Sequence, residues 1–136
     1  IMAAVGLAVV ETFLERVRAR QTMAAEWMQA LTDFSDLIYC SEVTAGPWQC
    51  FPLLMPDRTA SLCLIEAMER QSIELRRYYA PSLGACSGMP SLGDCVAAQN
   101  LSDRALILPV RSYMPADERK RLMDIVYRGI KEVLAP

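Results

Sequence analysis

The first thirty residues contain no proline and a single glycine, Gly6, and this uninterrupted run constrains the fold more than any other feature. Its apolar residues recur at helical spacing, while the charged ones lie on other sides. The residues near one stripe are Val10, Leu14, Val17, Ala24, Met28 and Leu31. We therefore predict a helix over residues 2–31. At 1.5 Å per residue it would reach roughly 45 Å, longer than a compact domain of this size needs.

The amino-terminal part of this helix is apolar all round. Such a helix is expected to be buried on more than one side. Either a further domain or another copy of the chain would have to cover it. The helix also begins without a polar capping residue, which indicates a piece taken from something larger.

Composition sets further limits. The 136 residues are 53% hydrophobic and 22% charged, which predicts one packed domain. A net charge of −2 provides no long-range attraction to nucleic acid or to an anionic membrane, so we expect neither as a partner. The apolar run over residues 1–10 is too short to span a bilayer and lacks the basic region of a signal peptide.

The five cysteines show no C-x-x-C spacing, and the chain contains no histidine. We therefore expect no metal site, no Ser/His/Asp triad and no Cys/His dyad. An odd number of thiols without a signal peptide is typical of a reducing cytoplasm. Cys50 and Cys63 fall within a predicted strand and a predicted helix, and we interpret both as packing residues.

The rest of the chain alternates strands and helices. Residues 48–55 follow Gly46-Pro47 and read as a strand, which Pro52 places at a sheet edge or a bulge. Pro56-Asp57 then supplies a stop and a helix N-cap. The next segment, 58–70, is predicted to be a helix that turns Leu62, Ile65 and Met68 inward, and 73–79 is predicted to be a second strand.

Residues 80–92 have loop composition, and a short helix is predicted over 93–101. A third strand follows over 105–110, and a final helix runs from Pro115 to about residue 134. The fold class is therefore α/β, an α+β two-layer sandwich with a long N-terminal helix, a small three-stranded sheet and helices packed on one face. Residues 1–136 form one domain, with 1–31 as the leading helix and 47–136 as the sandwich. Periodicity leaves open whether the strands pair parallel or antiparallel.

The clearest candidate for binding chemistry is the run Arg76-Arg77-Tyr78-Tyr79. Alternation along a strand places Arg76 and Tyr78 on one face and Arg77 and Tyr79 on the other. A guanidinium beside a phenol could hold a phosphate. The alternative is an exposed strand end that makes surface contacts, and we favour it because no closed pocket is evident.

Other conspicuous residues are interpreted as core or surface. Trp27 and Trp48 have apolar neighbours and are expected to pack in the core. The methionines at periodic positions are expected to fill the core, namely Met23, Met28, Met55, Met68 and Met123. The only lysines, Lys120 and Lys131, lie on the final helix among charged residues and are expected to be solvated.

Several segments, in the right order, resemble the DegT/DnrJ/EryC1/StrS family of sugar aminotransferases that use pyridoxal phosphate. Residues 2–11 (MAAVGLAVVE) are similar to the helix that leaves the family's large domain, with Val9 where glutamine is usual. Residues 48–70 are similar to the first strand and helix of the small domain, and 106–110 with 114–126 to its last strand and helix. The strongest match is I-x-x-R-x-Y-x-x-P-x-L, through Arg76, Tyr78, Pro81 and Leu83.

The resemblance implies the fold of the family's small domain, and it implies no catalytic residue here. Family members hold the cofactor through a lysine Schiff base in the large domain, which has no counterpart in these residues. Gly84 also stands where members commonly have histidine. We therefore expect no cofactor, with pyridoxal phosphate bound only if a large domain completes the site.

Three hypotheses follow. The first is a detached, non-catalytic small domain, not an enzyme by itself, that forms a homodimer through its N-terminal helix. The second is one half of a split aminotransferase whose large domain is a separate chain. The third is a binding module for a phosphorylated or nucleotide-linked ligand at Arg76, Arg77, Tyr78 and Tyr79. In each case we expect a cytoplasmic protein.

Overall fold

The computed structural model describes residues 2–37, 46–86, 88 and 95–135. The long helix α1 (Met2–Ala30) is followed by a 3-10 helix, Thr32–Leu37. The remaining elements, in chain order, are β1 (Cys50–Leu54), α2 (Arg58–Glu69), a 3-10 turn (Leu83–Ala85), α3 (Val96–Arg104), β2 (Ala105–Pro109) and α4 (Ala116–Leu134). The predicted helix over 93–101 corresponds to α3, which continues to Arg104. Cys40 lies outside the described residues, as do residues 87 and 89–92 of the predicted loop over 80–92 and the first two residues of the predicted helix over 93–101.

The sheet is antiparallel, which answers the question that periodicity left open. Phe51 pairs with Leu108 and Pro52 with Ile107. The N–H of Ile107 donates to the carbonyl of Arg76 at 2.8 Å, so the backbone groups of Ile107 face away from β1. The backbone groups of its partner Pro52 therefore face the outer edge of β1. Because no described strand pairs with that edge, the missing N–H of proline removes no hydrogen bond of the sheet. The prediction that Pro52 marks an edge strand is confirmed among the described residues.

The predicted third strand, residues 73–79, is not a strand in the structure. It contributes one isolated bridge, between Arg76 and Ile107, and the described sheet has two strands. Ser72 and Tyr79, at the two ends of this segment, have φ of 58° and 60°. The chain turns at both of these residues, and between them only Arg76 bridges to β2.

The core lies on one face of the sheet. Phe51, Leu53, Leu106 and Leu108 are fully buried there, and the β1 and β2 residues between them are only half-buried. This burial at every second residue is the pattern of a sheet covered on one side. Side chains from α1, α2, α4 and the residues that adjoin these elements and the strands complete the core, namely Met23, Ala24, Trp27, Leu31, Met55, Leu64, Met68, Leu75, Val110, Met123, Val126 and Ile130. The predicted core roles of Trp27 and of the periodic methionines are confirmed, with Met28 and Trp48 partly buried.

The long helix is confirmed, but only its second half belongs to the core. Of the predicted stripe, Ala24 and Leu31 are buried, whereas Val10 and Leu14 are 70% and 66% exposed. The first side-chain contacts with the sandwich come from Arg16 and Arg20. Residues before Arg16 extend past the sandwich, and no described residue covers their apolar side chains.

Two further predictions need correction on α2. Leu62 is 38% exposed, and Leu64 occupies the core position instead, together with Ser61 and Met68. Cys63 is exposed, so its interpretation as a packing residue is wrong. The predicted cap is confirmed, since the Asp57 carboxylate accepts the N–H of Ala60 at 2.8 Å.

None of the described helices combines the length and the apolar character that crossing a lipid bilayer requires.

Candidate functional site

A cavity of about 460 Å³ opens between the segment 72–78, the end of β2 and the first turns of α4. Ile107, Leu108 and Val110 contribute apolar surface to it. The charged and phenolic side chains that line it are Glu74, Arg76, Tyr78, Arg111 and Glu118, with Gln49, Cys50 and Ser72 also at its wall. This 72–78 cavity has the volume of a small-molecule site, although it is open to solvent.

The bridge to β2 positions the predicted binding residues. Arg76 is held through its carbonyl by Ile107, and Arg76 and Tyr78 line the 72–78 cavity, while Arg77 and Tyr79 do not. Side chains two residues apart share a face in extended backbone, which explains this division. The structure thus places two of the four candidates in one cavity. Their role in binding remains a prediction.

Arg76 already has an anionic partner. Its guanidinium donates to both carboxylate oxygens of Glu74, with Nε–Oε1 and Nη2–Oε2 distances of 2.9 and 3.4 Å. This hydrogen bond and the positive charge of Arg76 lower the pKa of Glu74, and the more distant charge of Arg111 adds to the effect. Both side chains of the pair are mostly exposed, so the interaction is screened by water. Because Glu74 neutralises Arg76, a phosphate would have to displace a carboxylate to bind there.

The pairing can be tested by titration. Arg76→Gln should raise the pKa of the Glu74 carboxyl towards its ordinary value, because the hydrogen bond and the charge that stabilise the ionised form are lost. NMR titration of the Glu74 side chain measures the shift. The matched control is Arg77→Gln, since Arg77 lies outside the cavity. Equal shifts in the two variants would contradict the observed pairing.

The sign of the linked stability effect follows from the lowered pKa. The Glu74–Arg76 pair stabilises the fold above the ordinary carboxyl pKa, and its contribution is lost as the pH falls through the lowered value.

Tyr79 presents its ring to solvent from a constrained backbone. Its side chain is 85% exposed and its φ is 60°, a left-handed conformation that is uncommon for a tyrosine. The hydroxyl of Ser102, which is nearly buried, donates to the Tyr79 carbonyl at 3.0 Å and holds the turn in place. The Tyr78 and Tyr79 ring centroids are 5.6 Å apart.

Among the lining residues that the sequence did not predict, Cys50, Arg111 and Glu118 are distant from Arg76 in the chain. Cys50 belongs to β1, Arg111 follows β2 and Glu118 lies on α4, so only the tertiary fold brings them beside Arg76. Burial raises the pKa of the Cys50 thiol, which makes it a poorer nucleophile than an ordinary cysteine. The one sequence feature that could have indicated a site residue is the position of Arg111 directly after a predicted apolar strand.

The described residues do not fit pyridoxal phosphate. The coenzyme needs a lysine that faces a protected pocket, whereas Lys120 and Lys131 are both exposed on α4 and neither lines the 72–78 cavity. Lys120 borders a separate recess of about 340 Å³ that also carries the carboxylates of Glu26 and Asp124. Those carboxylates would repel the phosphate of the coenzyme. The described residues also contain no cluster of three side chains suited to a metal ion.

Comparison with known proteins agrees with the family resemblance of the sequence motifs. The model of the DegT/DnrJ/EryC1/StrS aminotransferase family matches residues 1–127. The fold is similar to the crystal structure of a DegT DnrJ EryC1 StrS aminotransferase from Brucella abortus, with a TM-score of 0.66 and 18% sequence identity. That match covers 88% of this chain and 32% of the Brucella chain, so this chain spans about a third of its length. No curated protein matches significantly.

Proposed function

Since the chain belongs to the DegT/DnrJ/EryC1/StrS aminotransferase family, we propose that it is the small-domain portion of an aminotransferase. In this proposal it does not catalyse transamination by itself. A large-domain portion supplies the Schiff-base lysine and the cofactor site, and this chain supplies a folded body beside it.

The main support for the proposal is the position of the two lysines. Transamination through pyridoxal phosphate depends on an amine that can form and release an imine with the cofactor inside a protected pocket. Lys120 and Lys131 lie on the solvent side of α4, and the recess beside Lys120 has the wrong charge for a phosphate. The chain therefore offers no group that could hold the cofactor covalently in a productive position.

The extent of the structural similarity supports the same proposal. Almost the whole chain superposes on about a third of the Brucella aminotransferase. At 18% identity this similarity concerns the fold alone. A chain that folds like one part of an enzyme, and lacks the reactive group, is explained most simply as that part.

The body of the domain is suited to a supporting role. The sheet, α2 and α4 enclose a closed apolar core, and Arg119 on α4 is tied to Glu26 on α1 through two hydrogen bonds of 2.7 and 2.9 Å. This ion pair is partly shielded from water and fixes the direction of α1 relative to the sandwich. The 72–78 cavity would present Arg76, Tyr78 and Arg111 on one side of that body.

Incubation of the purified chain with pyridoxal phosphate, followed by borohydride reduction, tests the proposal. We expect no stoichiometric phosphopyridoxyl adduct by mass spectrometry and no conversion of an amino donor to its keto acid. Exposed amines react slowly with the aldehyde, so Lys120→Arg and Lys131→Arg identify such background adducts. An intact aminotransferase of the family, treated in the same way, serves as the positive control.

One adduct per chain at a single lysine, together with turnover by the chain alone, would refute the proposal. In the complementary experiment, a large-domain polypeptide from the same genome is added. Its cofactor absorbance and its turnover should increase in the presence of this chain.

A further inference from the structure

Two cysteines lie beside one short turn, and the proposed function uses neither of them. The turn spans residues 82–86 and follows the segment that lines the 72–78 cavity; we call it the 82–86 turn. Cys86 is its last residue, and Cys95 is the residue directly before α3. Cys86 is half-buried, Cys95 is exposed, and both are free thiols.

The 82–86 turn is held against the face of α3 on which Cys95 lies. The hydroxyl of Ser82, which is nearly buried, donates to the side-chain oxygen of Gln99 at 2.7 Å. The N–H of Gln99 in turn donates to the carbonyl of Cys95 at 2.9 Å. Residues four apart lie on the same side of a helix, so the side of α3 that contacts Ser82 also carries Cys95.

Both sulfur atoms lie against the backbone of the 82–86 turn. Gly84 has no side chain, and a Cβ there would lie 3.1 Å from Cβ and 3.4 Å from Sγ of Cys95. Sγ of Cys86 lies 3.5 Å from the carbonyl oxygen of Ser82, so this thiol is directed back towards the turn. The thiol of Cys95 therefore approaches the turn at a residue only two positions before Cys86.

These positions are within the reach of a disulfide bond. The Cα atoms of Gly84 and Cys86 are separated by at most about 7 Å, the extended length of two residues. Disulfide-linked cysteines have Cα atoms roughly 4.4–6.8 Å apart. Because Cys95 packs directly on Gly84, rotation of the two side chains can bring the sulfur atoms together while α3 stays against the turn.

We propose that Cys86 and Cys95 form a reversible disulfide that ties the 82–86 turn to the start of α3. The oxidant is a small-molecule disulfide such as oxidised glutathione. The exposed Cys95 thiolate attacks one glutathione sulfur and releases the other glutathione as a thiol. The Cys86 thiolate then attacks the Cys95 sulfur of this mixed disulfide and releases the second glutathione. The two cysteines lose two electrons and two protons, which reduce one glutathione disulfide to two thiols.

The disulfide would reinforce contacts that are already present. Side-chain hydrogen bonds from Ser82 and Ser102 join this part of the chain to α3. The covalent link would lie beside them and close a ring over residues 86–95. A ring restricts the unfolded chain, so the oxidised protein should unfold at a higher temperature than the reduced one. The disulfide is independent of the proposed function, because both thiols belong to the described chain.

Incubation of the purified chain with oxidised glutathione, followed by alkylation of the remaining thiols, tests the proposal. Peptide mapping by mass spectrometry without reduction should identify one linkage within a single chain, between Cys86 and Cys95. Dithiothreitol should restore both thiols. Thermal unfolding of the oxidised and reduced chains, followed by circular dichroism, should show the higher Tm in the oxidised one.

Two variants separate this pair from general reactivity of the cysteines. Cys86→Ser removes the thiol that completes the reaction, so Cys95 should retain a glutathione adduct and the Tm should no longer rise on oxidation. Cys63→Ser is the matched control, because Cys63 is an exposed thiol on α2, and it should leave the linkage unchanged.

A wild-type chain in which Cys95 retains glutathione, or stays reduced, would overturn the proposal. A linkage of Cys95 to any cysteine other than Cys86, or a linkage that Cys63→Ser abolishes, would overturn it as well. Equal Tm values for the oxidised and reduced chains would show that the disulfide does not tie the turn to α3.

Discussion

Trp27→Ala should lower the free energy of unfolding by about 3–5 kcal/mol, the range for removal of a large aromatic side chain from a packed core. Trp27 is fully buried, and its ring packs against that of Phe51 with centroids 6.3 Å apart. Its indole N–H donates to the carbonyl of Pro109 at 3.0 Å. The side chain therefore joins α1 to both strands, and its loss would leave a cavity at their junction.

Urea unfolding followed by far-ultraviolet circular dichroism measures this loss without relying on tryptophan fluorescence. In thermal unfolding the expected decrease in Tm is roughly 10 °C or more for a domain of this size. Trp48→Ala is the matched control. Trp48 is only partly buried and also contacts Phe51, with centroids 5.9 Å apart. Trp48→Ala should lower the free energy of unfolding by less than half as much as Trp27→Ala. Equal decreases in the two variants would contradict the observed burial.

Gly129→Leu should destabilise the fold by about 1–3 kcal/mol through overpacking between α2 and α4. A Cβ at Gly129 would meet the terminal methyl of Met68 and lie 3.2 Å from Cδ1 of Leu64. Gly129→Ala should be far milder. The Met68 methyl can rotate away from a single added carbon, and alanine recovers up to about 1 kcal/mol of helix propensity. The difference between the two variants isolates the effect of side-chain volume.

Thermal unfolding at low protein concentration measures both variants. Gly6→Leu provides the matched control, since a side chain at Gly6 would meet no atom within 4 Å. It should leave the Tm unchanged. A Gly129→Leu protein as stable as the wild type would mean that α2 and α4 are not in close contact at this point.

Much of the local structure was predictable because local signals determine it. Asp57 caps α2 as its position after a proline indicated, and Pro52 marks an edge strand because it has no N–H to donate. The long proline-free run became α1 for the same kind of reason. The four segments with strong helical periodicity are helices in the structure, and their ends differ from the predictions by a few residues.

The structure of residues 73–79 and the inward face of α2 were harder to predict from the sequence. Residues 73–79 have β-branched and aromatic composition, yet the segment turns at Ser72 and Tyr79 and only Arg76 bridges to β2. Leu62 and Leu64 are equally apolar, and which of them is buried depends on the direction from which α4 approaches α2. Neither outcome is encoded in the periodicity of a single segment.

The candidate site was predictable only in part. The run Arg76-Arg77-Tyr78-Tyr79 indicated a polar strand end, and alternation correctly separates the two residues that line the cavity from the two that do not. The Glu74 carboxylate that neutralises Arg76 is two residues away, so its proximity could have been anticipated. Arg111 and Glu118 could not, because more than thirty residues separate them from Arg76 in the chain.

The amino-acid sequence by itself determined most of the helices, the two paired strands and the family, because residue type, spacing and motif order are properties of the chain. The tertiary structure decided which apolar residues are enclosed and which remain bare. The second half of α1 contributes Met23, Ala24 and Trp27 to the core, whereas the apolar residues of the first half are exposed. Burial depends on what lies opposite a side chain, and only the packing of distant segments determines that.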